Sequence, residues 1–377
     1  MKKRVFITGS SIICALGNHK ETSVEKIKQI NNENYPHYLK ENFEKINFYR
    51  IKKFFTTQEE KFYWVLKNSI LDAINDAKLT EQEAKELHVF LGSTSMSISI
   101  KEEEFGESNK ISSLGYGEIG NFIEELIASN YPSTIIQTAC TSSANALTQA
   151  AELIKYNKIK RALIVGFEFF NHTTYRGFQS LLLLSPTGTY KPFDKNSDGL
   201  ILGEGCSSLI LDSEKKETSD FELLSSHTCF DNFSVTSSNP NGELTLFCME
   251  KALDKANLSL KNLTCIKAHA TGSENSNLSE VTAINSLFKK YNQKTDVVIL
   301  KPYIGHTLGA CGTNEIVLLC ESIKHNFLPK TINFKEKYDS VDFTPLLESK
   351  MLKKATILFQ FIGFGGSITS LILSNES

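Results

Sequence analysis

The sequence predicts an α/β protein built from a duplicated unit, and three observations carry this. Short apolar runs alternate with stretches of helical spacing along the whole chain. The runs are apolar on both faces, which fits mostly parallel sheets covered by helices on both sides. The two halves also close alike, since Ser208-Leu-Ile-Leu and Ser370-Leu-Ile-Leu each follow a Gly-x-Gly. With the matching order of elements, that echo points to a repeat. At about 100–200 residues per domain, 377 residues suit two domains. The charged stretch after Ser213 divides them into 1–213 and 214–377.

The elements follow in order. Residues 4–7 read as a strand, with a turn at Gly17-Asn18 and a helix over 21–29. Residues 31–53 are polar and aromatic without a period and read as irregular. Residues 58–77 have helical spacing, placing Phe62, Val65, Ile70, Ala73 and Ile74 on one face. A strand over 88–91 precedes 93–116, whose Ser, Gly and Glu predict a surface loop, and a helix over 119–128. Residues 133–139 read as a buried strand, Cys140 as the turn, and 142–155 as a helix with Ala144, Leu147, Ala151 and Ile154 inward. A strand over 161–166, a helix over 176–184, a polar loop over 191–204 and a strand over 206–211 complete the first half. The second half holds helices over 244–256, 279–288 and 313–325. Its strands cover 264–268, 297–300, 356–361 and 369–373, the last two joined by a glycine loop at 363–366.

Composition narrows the function. Hydrophobic content of 41% and charged content of 22% are ordinary for a globular protein. A net charge of −2 supplies no global field for nucleic acid. No run is long and apolar enough to cross a bilayer, and Met1-Lys-Lys-Arg-Val-Phe-Ile-Thr-Gly has too short an apolar stretch for a signal peptide. The eight cysteines are scattered with no Cys-x-x-Cys pair, which suits reduced core positions and a cytoplasmic protein.

Cys140 stands apart from the other cysteines. In Thr138-Ala-Cys-Thr-Ser-Ser it sits at a strand-to-helix turn. Unpaired N–H groups and the helix dipole favour a thiolate there, and the turn aims backbone N–H groups at a bound carbonyl. Cys14, Cys206, Cys229, Cys248, Cys265, Cys311 and Cys320 lack that context and read as core. His269 and His306 each lie just past an apolar strand, where α/β folds gather ligands. A neutral imidazole there can donate to an oxyanion or move a proton. Thr271 and Ser273 offer hydroxyls to a polar ligand or cap the next helix. Lys301 and Glu315 flank His306 as a pair that either orients a histidine or lies on the surface. Gly363-Phe-Gly-Gly brings backbone close to a ligand and leaves Phe364 free to swing, or is a plain turn. Asp194-Lys-Asn-Ser-Asp-Gly199 begins like a calcium loop, but the closing position is Gly205, so no metal is expected. No phosphate-binding glycine signature is present, and no cofactor is expected.

With these pieces in place the chain resembles the β-ketoacyl-[acyl carrier protein] synthases, condensing enzymes of the thiolase-like fold, nearly end to end. The marks are Thr138-Ala-Cys-Thr-Ser-Ser, Gly177-Phe-Gln-Ser-Leu-Leu-Leu-Leu-Ser185, Pro192 to Gly199 with Gly203-Glu-Gly, Asn239-Pro-Asn-Gly242, His269-Ala-Thr-Gly-Ser, Lys301 to Ala310, and Gly363-Phe-Gly-Gly. The resemblance implies two mixed, mostly parallel sheets in an αβαβα layering, with the nucleophile in the first half and both histidines in the second. It is to the elongating Cys-His-His type. It implies that Cys140 takes the acyl group and that His269 and His306 assist decarboxylation and stabilise the enolate. Lys301 and Glu315 would support them. The N–H groups of Cys140 and Phe364 would form the oxyanion hole. Phe364, between Gly363 and Gly365, would gate the site, Thr271 and Ser273 would bind pantetheine, and Phe178 would line the acyl pocket. Departures stand at Ala270, Asn277, Pro302, Gln360 and Ile368, and the segment between Ser93 and Thr134 looks trimmed. They leave chain length and acyl type open.

The implied function is decarboxylating condensation of an acyl thioester with malonyl-[acyl carrier protein] to a 3-oxoacyl product, in a specialised lipid, polyene or polyketide pathway. The alternative is a non-catalytic partner subunit like a chain-length factor; a third reading is thioester hydrolysis or acyl transfer without condensation. Implied partners are an acyl carrier protein and a second subunit, identical or related. The expected dimer strand is 161–166, and Lys52, Lys53 and Arg176 are the candidate basic patch for the carrier.

Overall fold

The computed structural model describes residues 2–30, 38–41, 44–108 and 115–376. The first half runs β1 (Phe6–Cys14), α1 (Lys20–Gln29), β2 (Tyr38–Glu41), β3 (Glu44–Asn47), α2 (Gln58–Asp76), α3 (Glu81–Lys85), β4 (His88–Gly92), α4 (Ile98–Ser108), α5 (Tyr116–Ile127), β5 (Thr134–Ile136), α6 (Ser142–Lys155), β6 (Arg161–Glu168), α7 (His172–Ser180) and β7 (Gly205–Asp212). The second runs β8 (Phe221–Phe230), α8 (Glu243–Ala256), β9 (Cys265–Lys267), α9 (Glu274–Tyr291), β10 (Asp296–Val298), α10 (Lys301–Ile304), α11 (Cys311–Lys324), β11 (Phe327–Leu328), β12 (Lys350–Met351), β13 (Thr356–Ile362) and β14 (Ser367–Ser374).

Ten strands form one sheet in the order β10-β9-β13-β14-β8-β1-β7-β6-β4-β5. Each half repeats one pattern, reading from its edge as third, second, fourth, fifth and first strand of that half. The three edge strands of each half pair parallel, and the remaining two pairings are antiparallel. The tight glycine loop after β13 makes β14 its hairpin partner, so this pairing must be antiparallel. The two expected sheets meet at a short seam, Phe6 with Glu222 and Ile7 with Phe221.

Side-chain alternation builds the layers. Along β6, Leu163 and Val165 pack outward against Val65, Ile70 and Ile123 of α2 and α5. Ala162 and Ile164 face the middle, where Leu147 and Leu318 of α6 and α11 also meet Ile357 and Phe359 of β13. Leu358 and Ile372 point the other way, onto Leu253, Ile284 and Leu287 of α8 and α9. The αβαβα order is therefore present. In the middle layer α6 and α11 nearly touch at their starts. A Cβ on Gly312 would lie 2.3 Å from the nitrogen of Ala144, and one on Gly92 would lie 2.4 Å from the Cα of Ser143. Among the described residues no helix is long and apolar enough to cross a membrane.

Several expectations need correction. Residues 93–116 are not all loop, since α4 lies there, and 31–53 include the β2–β3 hairpin, with 31–37 and 42–43 outside the described residues. The strand expected over 133–139 is only Thr134–Ile136 and half-buried. β8 was not foreseen, because its Ser, His and Thr hide a strand. β6 is not the dimer strand either: β4 and β7 pair with both of its edges, leaving none for a second subunit. The strand at the edge of this half is β5.

Candidate active site

The nucleophile candidate sits on a tight elbow. Ala139 has φ of 51°, in the left-handed region, and turns the chain from β5 into α6. The Ser142 N–H donates to the Ala139 carbonyl (3.1 Å), and Ser142 Oγ accepts from the Thr138 N–H (2.9 Å). Gly363 packs against this elbow, where a Cβ would lie 3.0 Å from the Thr138 oxygen and 3.2 Å from the Cys140 nitrogen. Cys140 is 4% exposed. Burial pushes its thiol up to about 12, opposed by Lys301 and by the N–H groups of Phe364 and Cys140 itself.

The histidines come from the other half. His269 follows β9, and Glu280 of α9 clamps the bend, its two oxygens accepting the N–H groups of His269 and Ala270 at 2.6 Å each. Lys301 Nζ lies 3.3 Å from His269 Nδ1. An ammonium only donates, so the neutral ring carries its proton on Nε2. That Nε2 is buried and has no hydrogen-bond partner among the described residues. His306 is held through its backbone, donating to the Ile201 carbonyl (2.8 Å) and accepting from the Gly203 N–H (3.0 Å). Its Nδ1 lies 3.0 Å from Cys311 Sγ. The two rings are 5.4 Å apart and nearly perpendicular at 84°. Burial holds both imidazoles well below their ordinary range, and Lys301 and Lys267 add to this.

Beneath them lies a buried charge cluster. Glu315 accepts from Lys301 on Oε1 and from Lys267 on Oε2, each at 2.5 Å. Burial would raise Glu315, but Lys267 and Lys301 outweigh it and hold it below its usual range. Burial would lower Lys301, but its charge and hydrogen-bond pairing with Glu315 opposes this and Lys301 stands raised. Lys301 and Glu315 thus lie behind His269 in place of the surface pair that was the plain alternative.

One narrow cavity of about 20 Å³ brings together Cys140, His269, His306, Phe178, Thr271, Ser273, Gly363 and Phe364, with 234–238 as a further wall. Phe364 stacks on Phe178, centroids 5.4 Å apart and planes at 16°. Thr271 and Ser273 are 3.2 Å apart, and Ser273 makes no helix-capping bond although it occupies the cap of α9. Gly365 does not line the cavity; its φ is 75°, and its N–H donates to the Val235 carbonyl at 2.7 Å. Lys52, Lys53 and Arg176 are exposed, outside the cavity lining. The calcium-like loop is a chain junction, where Asp194 accepts from the N–H groups of Asn196, Lys335 and Glu336.

Four contributors escaped the sequence reading. Lys267, Glu280 and Cys311 hold the histidines or their partners, and Glu168 accepts from the N–H groups of Thr94, Ser95 and Gly309 beside the site. Only Lys267 left a signal, as a charge inside the apolar run Cys265-Ile-Lys-Ala.

The β-ketoacyl synthase N-terminal domain matches residues 47–217, and the C-terminal domain matches residues 221–335. The chain is 29% identical to the 3-oxoacyl-[acyl-carrier-protein] synthase 2 of Coxiella burnetii, over 68% of this chain and 66% of the relative. It shares its fold with a chain from a type II polyketide synthase acyl-carrier protein in complex with its ketosynthase bound to the hexaketide, at a TM-score of 0.87, 20% identity and 99% coverage of each chain. A ketosynthase complexed with its chain length factor from Xenorhabdus doucetiae matches at a TM-score of 0.82 and 23% identity, over 99% of this chain and 98% of that one. The chain belongs to the β-ketoacyl synthase family of acyltransferases.

Proposed function

We propose that the chain condenses an acyl group with malonyl-[acyl carrier protein] and releases CO₂, giving a 3-oxoacyl-[acyl carrier protein]. The observation that carries this is a cavity in which Cys140 meets two neutral imidazoles, one with an unpartnered Nε2–H. Cys140 Sγ attacks the acyl thioester carbonyl, the N–H groups of Cys140 and Phe364 hold the oxyanion, and the carrier thiol leaves with the proton. The malonyl thioester then takes the carrier arm's place, its amides meeting Thr271 and Ser273. Its C–C bond to the carboxylate breaks, CO₂ departs, and the electron pair rests on the thioester oxygen. Nε2–H of His269 answers that charge. So does His306, whose Nδ1 accepts from the Cys311 thiol, a group that burial keeps protonated. The enolate carbon attacks the acyl carbon, and Sγ leaves as a thiolate that takes one proton from solvent water. Phe364, stacked on Phe178, is the gate between the acyl pocket and the arm.

The first half, 1–213, supplies the nucleophile and the second, 214–377, the histidines. A second subunit, identical or related, pairs along the β5 edge, whose residues are only half-buried. The departures at Ala270, Asn277, Pro302 and Ile368 favour a specialised lipid, polyene or polyketide pathway over bulk fatty-acid synthesis. All eight cysteines are free, which suits the reducing cytoplasm.

Intact-mass spectrometry with an acyl-carrier donor tests the reading. Wild type gains the acyl mass and Cys140→Ala does not; an adduct that survives the substitution sinks the proposal. CO₂ release from malonyl-carrier by this chain alone separates it from a non-catalytic chain-length-factor role.

A further inference from the structure

Lys267 is fully buried at the end of β9, and the steps above do not use it. Its Nζ donates to Glu315 Oε2 (2.5 Å) and to the Gln360 carbonyl (3.0 Å), and it lies 3.8 Å over the Phe361 ring. Lys301 already balances the charge of Glu315, so the second ammonium is in excess. An excess buried cation is costly, and here an aromatic face and a carbonyl are arranged to hold it.

We infer that Lys267 is a positioning residue for the condensation proposed above. It occupies Glu315 Oε2, so the carboxylate cannot rotate away, and Oε1 stays on Lys301 while Lys301 faces His269 Nδ1. It also places two ammonium groups on the single carboxylate of Glu315. The charged and titratable groups around it are Glu315 and Cys311 of α11, Lys301 of α10, Glu280 of α9 and the two imidazoles. Two lysines stand against Glu315 and Glu280, both bound to Glu315, while Glu280 is held by the N–H groups of His269 and Ala270. The two ammonium groups disfavour imidazolium and attract the negative charge that develops on the thioester oxygen.

The test uses CO₂ release from a malonyl-carrier thioester across pH. In Lys267→Met, kcat at pH 7 falls about tenfold while KM stays within about twofold, the split expected for an interaction made in the transition state. The wild-type rate falls as pH rises through about 8, where Lys267 gives up its proton. That limb is absent in Lys267→Met, and Lys267→Arg restores the pH 7 rate and moves the limb upward. An unchanged profile in Lys267→Met overturns the inference, as does a limb that stays in place in Lys267→Arg, which also carries the test where the Met variant does not fold. Nitrogen NMR of labelled histidine gives a readout independent of turnover: His269 holds the Nε2–H tautomer in wild type and loses it, or protonates at higher pH, in Lys267→Met. If wild type releases no CO₂ but this signature moves, the condensing reading falls and the role of Lys267 stands. If the signature does not move, the role of Lys267 falls.

Discussion

Three residues with side chains hold left-handed backbone beside the reactive groups: Ala139 (φ 51°) before Cys140, Ala270 (φ 46°) after His269, and Leu308 (φ 44°) after His306. Such angles cost about 1–3 kcal/mol each in residues with a Cβ and persist where surrounding bonds impose them. Around Ala270 the two oxygens of Glu280 do so. Ala270→Gly keeps that N–H and removes the clash, so it should stabilise the fold by about 1 kcal/mol in denaturant melts. A stability loss would mean that the Ala methyl packs more than it strains. At this scale the sequence was legible for the three side chains that meet in the cavity, because Cys140, His269 and His306 stand at strand ends beside small residues. It was not legible for Glu280, and Lys267 showed only as a charge inside an apolar run. Partners 48 and about 10 residues away leave no local pattern of their own.

Element placement decides whether those groups meet. α6 starts at the elbow of Cys140 and α11 starts just past His306, and their first turns touch through Ala144 and Gly312. A methyl at Gly312 would strike backbone 2.3 Å away. Gly312→Ala should therefore cost about 3 kcal/mol or more, read as a fall in melting temperature or loss of soluble protein. It should also slow acylation of Cys140 in whatever folds. α6 was readable to the residue because its small and apolar positions keep one face. α4 was not, because Ser and Glu are equally at home in a loop, and β8 was not, because its polar residues are satisfied by β14. The β5 edge was beyond reach, since strand order is set by long-range pairing.

Across the whole molecule Cys140 and the two imidazoles sit on opposite repeats of one ten-stranded sheet. The repeat itself was visible in the Gly-x-Gly and Ser-Leu-Ile-Leu echo. The seam at Phe6 and Ile7 and the antiparallel turn-back of β7 were not, because nothing local encodes them. Burying two neutral histidines ties stability to acidity. Burial first, then the nearby lysines, lowers both in the folded state, so their contribution is present above the unfolded value near 6.5 and is lost as pH falls below it. Each adds a slope of about 1.4 kcal/mol per pH unit. Glu168 and Glu280, raised by burial, pull the other way as pH falls, so the measurement is a difference. The stability gap between wild type and His269→Asn should shift in favour of the variant by that slope between pH 6.5 and 5; a constant gap would show that His269 is already charged. The stacked Phe178–Phe364 pair has a consequence for life in a cell full of electrophiles. With its sulfur protonated and shuttered at rest, the chain should ignore quinones, aldehydes and alkylating drugs that consume exposed thiols. Iodoacetamide should label Cys140 slowly, and Phe364→Ala should trade that immunity for speed of modification.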